Sequence, residues 1–361
     1  MSELFDAVDA MLAPADADLA ARYPGERSGQ PVHTVYVPAD RYDDSTVASY
    51  GEVALSVLDE AAHAVGAPTS LITRVRNRLE TNPIDDLRID FEDGYGFRDD
   101  DVEDADVRRA ARSGHGIRFK SLEKATRARG LRTLSLFLEE GGSGNVTLPK
   151  VTSVAQVEAM VVACEKLGLD SFEIQIETPQ SVLLVTELLQ AAQGRCSALH
   201  FGTYDYTASL GIAAAHQSLD HPAADHAKSA MQLAAAGTGV WLSDGSTNVL
   251  PVGEHAGDAW RLHARLVRRS LERGFYQGWD LHPAQLPTRF LATFGFYREG
   301  FPLAAQRLHA YLDRRDSGFL DEPATAVGLS GFLLRGIECG ALDAPEVGLD
   351  IEELGKLARR A

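Results

Sequence analysis

Eight short runs of β-forming residues, each followed by a longer stretch with helical periodicity, constrain this chain more than any other feature of its sequence. The runs are Val32–Val37, Leu87–Phe91, Gly116–Phe119, Asn145–Leu148, Phe172–Ile176, Ala198–Phe201, Gly239–Leu242 and Gly278–Leu281. Between them fall helical patterns such as Tyr50–Val65, Ser153–Leu167, Pro179–Gln193, Ala223–Ala236 and Gly257–Arg273. Parallel strands need a crossover between them, usually a helix, so the alternation predicts βα units and a parallel sheet. Eight such units in about 250 residues predict an α/β fold of the closed (β/α)8 TIM-barrel type. A doubly wound sheet would need a phosphate loop after an early strand, and neither GxGxxG nor GxxxxGKS/T occurs.

The flanks read differently. The first 30 residues form an amphipathic helical pattern followed by a polar loop, and Pro287–Phe296, Leu303–Leu312 and Ala324–Cys339 read as helices beyond the last run. The expected organisation is an N-terminal helical segment over 1–30, a catalytic barrel over 31–286 and a C-terminal helical extension over 287–361. The extension is expected to pack on the barrel or on a neighbouring subunit. Asp plus Glu number 52 against 35 Lys plus Arg, a net charge of −17, which argues against nucleic acid as a partner because phosphate contacts need a basic surface. No basic-then-apolar leader and no 18-residue apolar run is visible, so a soluble cytoplasmic protein without a membrane partner is expected. Cys164, Cys196 and Cys339 are widely spaced and form no CxxC pair, which suits small core residues in a reducing compartment.

In a barrel of this kind ligands bind at the C-terminal ends of the strands. The second run leads into Asp90-Phe91-Glu92-Asp93-Gly94, the third carries Arg118, and the fourth ends in Pro149-Lys150. The fifth ends in Glu177-Thr178-Pro179, the sixth in Gly202-Thr203-Tyr204-Asp205, and the last in His282-Pro283. Clustered carboxylates repel unless cations, shared protons or a metal hold them. Oxygen donors without a Cys/His set suit a hard ion such as Mg²⁺ or Mn²⁺, which keeps open positions for a bidentate 2-oxo acid.

These residues belong to the ordered pattern VPADR, DFEDG, RF, LPKV, IETP, FGTYDYTASLG and GWDLHPAQ, which spans Val35–Gln285. The pattern resembles the citrate lyase β-subunit, malyl-CoA lyase and metal-dependent pyruvate aldolase group of the phosphoenolpyruvate/pyruvate barrel superfamily. The DFED and DYTASLG pieces are also similar to malate synthase. So is Leu320-Asp321-Glu322-Pro323-Ala324-Thr325-Ala326, which resembles the segment bearing that enzyme's catalytic aspartate.

The resemblance implies a Mg²⁺-dependent carbon–carbon lyase, acting through an enolate on a 3-hydroxy acid or its CoA thioester. The alternatives it leaves are a pyruvate-releasing class II aldolase, a CoA-thioester hydrolase and a non-catalytic metabolite-binding barrel. It implies Glu177 and Asp205 as metal ligands, and Arg118 as the cation that neutralises the enolate oxygen; a structural pairing of Arg118 with Glu92 or Asp93 is compatible with that role. Gly202, Thr203 and Tyr204 would hold the substrate carboxylate through backbone N–H groups. Glu92 and Asp93 would orient Arg118 and the ion's waters. Glu322 and Asp321 are the candidates for the proton-transfer base, or else simply negative charges favoured at a helix N-terminus. Lys150 and Arg41 are open between a site role and a structural ion pair, and His282 reads as structural. The chain departs from the lyases in the GYG after the second run, and from malate synthase in placing Glu322 at the aspartate's position. No motif points to CoA. The resemblance also implies a homo-oligomer, trimeric or hexameric.

Overall fold

The computed structural model describes residues 2–315 and 318–358. Among them, eight parallel strands form one sheet: β1 His33–Pro38, β2 Asp86–Asp90, β3 Gly116–Arg118, β4 Val146–Leu148, β5 Phe172–Ile176, β6 Cys196–Phe201, β7 Trp241–Ser243 and β8 Gly278–Asp280. Their order is β7-β6-β5-β4-β3-β2-β1-β8. A parallel bridge between Ser243 and Gln277 joins the two ends, reinforced by Asp244 N–H donating to Gln277 O at 2.8 Å. The sheet therefore closes, and the (β/α)8 barrel expected from the alternation is the fold.

Fifteen α-helices surround it among the described residues: α1 Ser2–Arg22, α2 Thr46–Val65, α3 Thr69–Thr81, α4 Asp100–Arg112, α5 Arg127–Glu139, α6 Val154–Leu167, α7 Pro179–Leu183, α8 Val185–Ala191, α9 Thr203–Ser209, α10 Pro222–Ala235, α11 Ala256–Glu272, α12 Leu286–Leu312, α13 Pro323–Glu338, α14 Ala344–Val347 and α15 Ile351–Ala358. None is long and apolar enough to cross a membrane. Several differ from the sequence pattern. The Pro179–Gln193 stretch breaks at Leu184 into α7 and α8. The two tail helices merge into α12 across Pro302. A proline removes one backbone hydrogen bond, but Phe290, Phe294 and Tyr297 before it and Ala304 and Leu308 after it are all buried, and that burial holds the helix continuous. Helices α4 and α5 have no counterpart among the patterns read from sequence. In α4 the buried face mixes Val107, Ala110 and Ala111 with Glu103 and Asp106, so no clean apolar stripe is visible. Residues 3–22 of α1 are exposed throughout, so its apolar residues do not pack on the barrel.

Along the strands, apolar residues face the helices and polar ones face inward. Val35, Ile89, Ile117, Leu148, Ile174 and Phe201 are fully buried or nearly so in the helix-facing layer. The register sets Tyr36 beside Arg88, Asp90 beside Arg118, Thr147 beside Glu173 and Gln175 beside His200. These side chains meet in the interior: Arg88 donates to Glu173 at 2.7 Å, and Thr147 does so at 3.1 Å. Barrel interiors are more often filled by branched aliphatic residues. At the opposite end from the mouth, residues 23–31 cross the strand starts, with Arg27 donating to Ser197 O and Gln30 to Leu242 O.

A second buried polar cluster clamps the barrel to its helices. Asp280 of β8 accepts from His33 Nδ1 at 2.7 Å, His263 Nε2 at 3.0 Å and Arg289 at 3.0 Å. Asp85 N–H donates to His33 Nε2, which places the His33 proton on Nδ1, facing Asp280. These donors overcome desolvation and hold the Asp280 carboxyl well below the usual range. A depressed carboxylate contributes stability above its unfolded pKa and loses it as pH falls through the folded value. Asp280→Asn leaves Arg289 buried without its counter-charge, so a loss of about 3–5 kcal/mol is expected at neutral pH. Denaturant unfolding checks this, and the gap to the wild type should shrink below about pH 4.

Candidate active site at the barrel mouth

The strand register assembles the mouth. Asp90 ends β2 and Arg118 ends β3 as direct register partners. Arg118 grips Asp90 with both arms of its fork, Nε to Oδ1 at 2.7 Å and NH2 to Oδ2 at 2.8 Å. Asp90 also accepts the N–H groups of Glu92 at 3.0 Å and Gly94 at 3.1 Å, so it shapes the loop as well. The remaining arm of Arg118 reaches Gln175 Oε1 at 3.4 Å and lies 3.6 Å from Glu92. Gln175 in turn donates to Glu177 Oε2. One amide thus sets the spacing between the guanidinium and the buried carboxylate.

Glu177 is fully buried at the end of β5. Its other oxygen accepts the Lys150 N–H at 2.7 Å, a bond made possible because Lys150 adopts a left-handed backbone with φ of 51°. The Lys150 ammonium then folds back onto Asp93 at 2.9 Å, Glu92 at 3.3 Å and Asp205 at 3.3 Å. Space for the Glu177 carboxylate comes from Gly202: a Cβ there would lie 2.4 Å from Glu177 Cβ and 2.7 Å from Oε2. Burial pushes Glu177 up to about 8, with Asp205 and Glu92 adding to the rise and Lys150 and Arg118 opposing it. Burial likewise pushes Glu92 up to about 7, with Arg118 opposing. Asp93 is held below its usual value because the Lys150 hydrogen bond and charge overcome its desolvation.

The structure therefore brings Arg118, Glu92, Asp93, Glu177 and Asp205 together, and adds Lys150 to them. The pairing of Arg118 is with Asp90 first and Glu92 second. Sequence reasoning names Asp90 at a strand end but gives it no role, and it misses Gln175. Gln175 shares the inward parity of Glu177, two residues on, and that alternation is the available signal. Gly202 needs correction: its N–H, expected to face an anionic ligand, donates to Ile176 O at 2.9 Å, because the chain is still in sheet register there. Thr203 and Tyr204 begin α9; the Thr203 hydroxyl is buried without a hydrogen-bond partner, and the Tyr204 hydroxyl accepts Asn248 N–H at 2.7 Å. His282 caps its own turn by accepting Ala284 N–H, and Arg41 stays exposed.

Asp321 and Glu322 are not brought to this mouth within the chain. Asp321 is bound by Arg307, which comes 21 residues after the start of α12 beside β8. At about 1.5 Å per residue that is about 30 Å along the helix. Glu322 is exposed and precedes α13 without a side-chain cap bond.

Five carboxylates (Asp90, Glu92, Asp93, Glu177 and Asp205) share the mouth with two cations, Arg118 and Lys150. Asp90 neutralises Arg118, so the rest carry excess negative charge. The hydrogen-bond donors to Glu177 are a backbone N–H and an amide, and no cation touches its oxygens among these contacts. An oxygen-only donor set with surplus charge fits a hard divalent ion. Among the described residues no three His, Cys, Asp or Glu side chains converge to enclose one.

Comparison with known proteins places the fold. A citrate lyase of Burkholderia xenovorans LB400 superposes with a TM-score of 0.63 at 19% identity, over 88% of this chain and 95% of that one. The protein CitE of Mycobacterium tuberculosis, in complex with magnesium, acetoacetate and coenzyme A, gives 0.55 at 21%, over 87% and 99%. The same protein with magnesium and pyruvate gives 0.51 at 19%, over 85% and 98%. The group that the ordered motifs resemble is thus also the group of these structural neighbours. No curated protein matches the sequence significantly. The family model described as a domain of unknown function, DUF6986, matches residues 12–361, and the chain belongs to that family.

Proposed function

We propose that this protein is a divalent-metal-dependent carbon–carbon lyase that makes or breaks a bond next to a 2-oxo acid or thioester through an enolate. The observation that carries the reading is the mouth itself: a buried, cation-poor Glu177 beside Asp205, linked by Gln175 to a guanidinium clamped by Asp90. The M. tuberculosis CitE complexes with magnesium and pyruvate, and with magnesium, acetoacetate and coenzyme A, support both the ion and the substrate class. Mg²⁺, or Mn²⁺ in its place, is the ion we assign to Glu177 and Asp205. When bound there it supplies Lewis-acid polarisation of a carbonyl.

The chain's own residues do the rest. Arg118 cannot lose its proton, and Asp90 holds it by one edge, so its other donors are aimed before substrate arrives. A fixed cation directed at developing charge needs no reorganisation in the transition state, and such donors are typically the largest catalytic contribution. Lys150 keeps Glu92 and Asp93 from collapsing onto Arg118, and Glu92 holds the outer arm of that guanidinium. Asp321 and Glu322, some 30 Å away along α12, can serve as proton-transfer groups only across a subunit boundary, which fits the homo-oligomer we also propose.

Two outcomes test this. Glu177→Gln and Asp205→Asn should each weaken Mg²⁺ or Mn²⁺ binding by at least about a hundredfold in calorimetry, beyond the 10–100-fold typical of residues that merely support a ligand. A panel of 3-hydroxy acids and their CoA thioesters, screened for released glyoxylate, pyruvate or oxaloacetate, identifies the substrate; full turnover in excess EDTA would refute the metal. On that substrate Arg118→Ala should lower kcat by about 10²–10³. Arg118→Lys should be impaired as well, since an ammonium lacks the planar fork.

A further inference from the structure

The mouth rests on a floor that none of these roles uses. Tyr36 projects from β1 into the barrel and keeps part of its surface exposed, whereas Arg88, Thr147, Glu173 and His200 around it are buried. Residues 23–31 cross the opposite end of the barrel, so the exposed part of Tyr36 faces the mouth.

The guanidinium carbon of Arg118 lies 4.8 Å from the centre of the Tyr36 ring, inside the range of about 6 Å over which cation–π attraction acts. The ring itself is held from two sides. Trp279 packs against it at 4.7 Å between centroids and an angle of 52°. The Tyr36 hydroxyl lies 3.3 Å from His200 Nδ1. Trp279 Nε1 donates to that same nitrogen at 3.1 Å. An indole N–H can only donate, so Nδ1 carries the lone pair, with the Tyr36 hydroxyl beside it. The His200 proton sits on Nε2, which makes no hydrogen bond; Glu173, held by Arg88 and Thr147, lies 3.5 Å away. The floor thus lies against the most buried charges of the barrel.

Asp90 holds Arg118 along one edge. A planar group held by an edge still pivots about that edge, and Gln175 at 3.4 Å and Glu92 at 3.6 Å are weak stops. The guanidinium carbon sits over the Tyr36 ring, and that contact opposes the pivot. We propose that Tyr36 is the positioning residue for Arg118, its ring setting the tilt of the guanidinium and so the direction in which the remaining donors point into the mouth. The inference rests on the enolate reading of the site given above. Directed donors matter most for concentrated negative charge, so losing the tilt should penalise an enolate-like anion more than a ground-state 2-oxo acid.

The test uses the full-length protein with Mg²⁺, titrated calorimetrically with oxalate, an enolate mimic, and with pyruvate. Tyr36→Leu should weaken oxalate about tenfold, within the roughly 2–30-fold that a cation–π contact is worth. Pyruvate affinity should change less than about threefold, and Mg²⁺ affinity should not change, because the contact favours charge at Arg118 and leaves the ion's ligands alone. Tyr36→Phe keeps the ring and should restore oxalate binding. The Arg118 Nε–H resonance, assigned by its absence in Arg118→Lys, should carry a ring-current shift in the wild type and Tyr36→Phe and lose it in Tyr36→Leu. Unchanged oxalate binding in a folded Tyr36→Leu protein overturns the proposal while leaving the enolate site standing. So does Tyr36→Phe failing as badly as Tyr36→Leu, since the hydroxyl and not the ring would then matter. A wild type that binds no oxalate with Mg²⁺ overturns the enolate reading, and the catalytic consequence falls with it.

Discussion

The bond that ties the site to the fold is the two-armed pair between Asp90 and Arg118. It joins neighbouring strands at the level where the sheet ends and the loops begin. A slip of one residue in the β2–β3 register would turn every side chain to the opposite face and separate the pair. The same carboxylate organises the loop that carries Glu92 and Asp93. Strand register, loop shape and guanidinium orientation are therefore one condition and not three. An isolated exposed pair would not carry such weight; this one is almost completely buried on both sides.

Beneath it the interior continues in ionic layers. Arg88 meets Glu173 and Asp86, and Glu173 meets Thr147 and His200. Burying ion pairs is expensive and seldom adds net stability over aliphatic packing. What such layers do provide is directional constraint, since each group must find its partner's lone pair or proton and only one arrangement satisfies all of them. For a site whose chemistry depends on where a guanidinium points, that constraint has a use that a greasy core would lack. The cost is met outside the barrel, where the helix-facing residues of the strands are apolar and fully buried.

Much of this architecture is legible in the sequence. The alternation of runs and helices identifies the barrel and places β5 to the residue over Phe172–Ile176. The rule that ligands gather at strand ends finds Arg118, Glu92, Asp93, Lys150, Glu177 and Asp205. That rule is blind to side chains within strands, which is why Gln175 escapes it. Tyr36 escapes it too, as a tyrosine in VHTVYV looks like any β-former. Helices α4 and α5 are hidden for another reason. The buried face of α4 includes charged groups that find partners only in three dimensions, as Glu103 does with Lys120 and with Arg129 and Thr133 of α5. The Asp321–Arg307 pair shows the converse limit: a motif can be recognised correctly as a string while its distance from the site depends on a helix whose continuity through Pro302 no local rule foretells.

The segment that crosses the strand starts has a kinetic meaning. With Arg27 and Gln30 tied to the backbone at that end, and charged side chains filling the bore above them, the barrel behaves as a blind well. Anything that enters does so past Lys150 and Asp205, and whatever is formed leaves by the same route. On the lyase reading proposed above, the two fragments of a cleaved substrate depart in a fixed sequence, the shallower before the deeper. The fragment lying against Tyr36 and Arg118 would be the last to leave and the first to return.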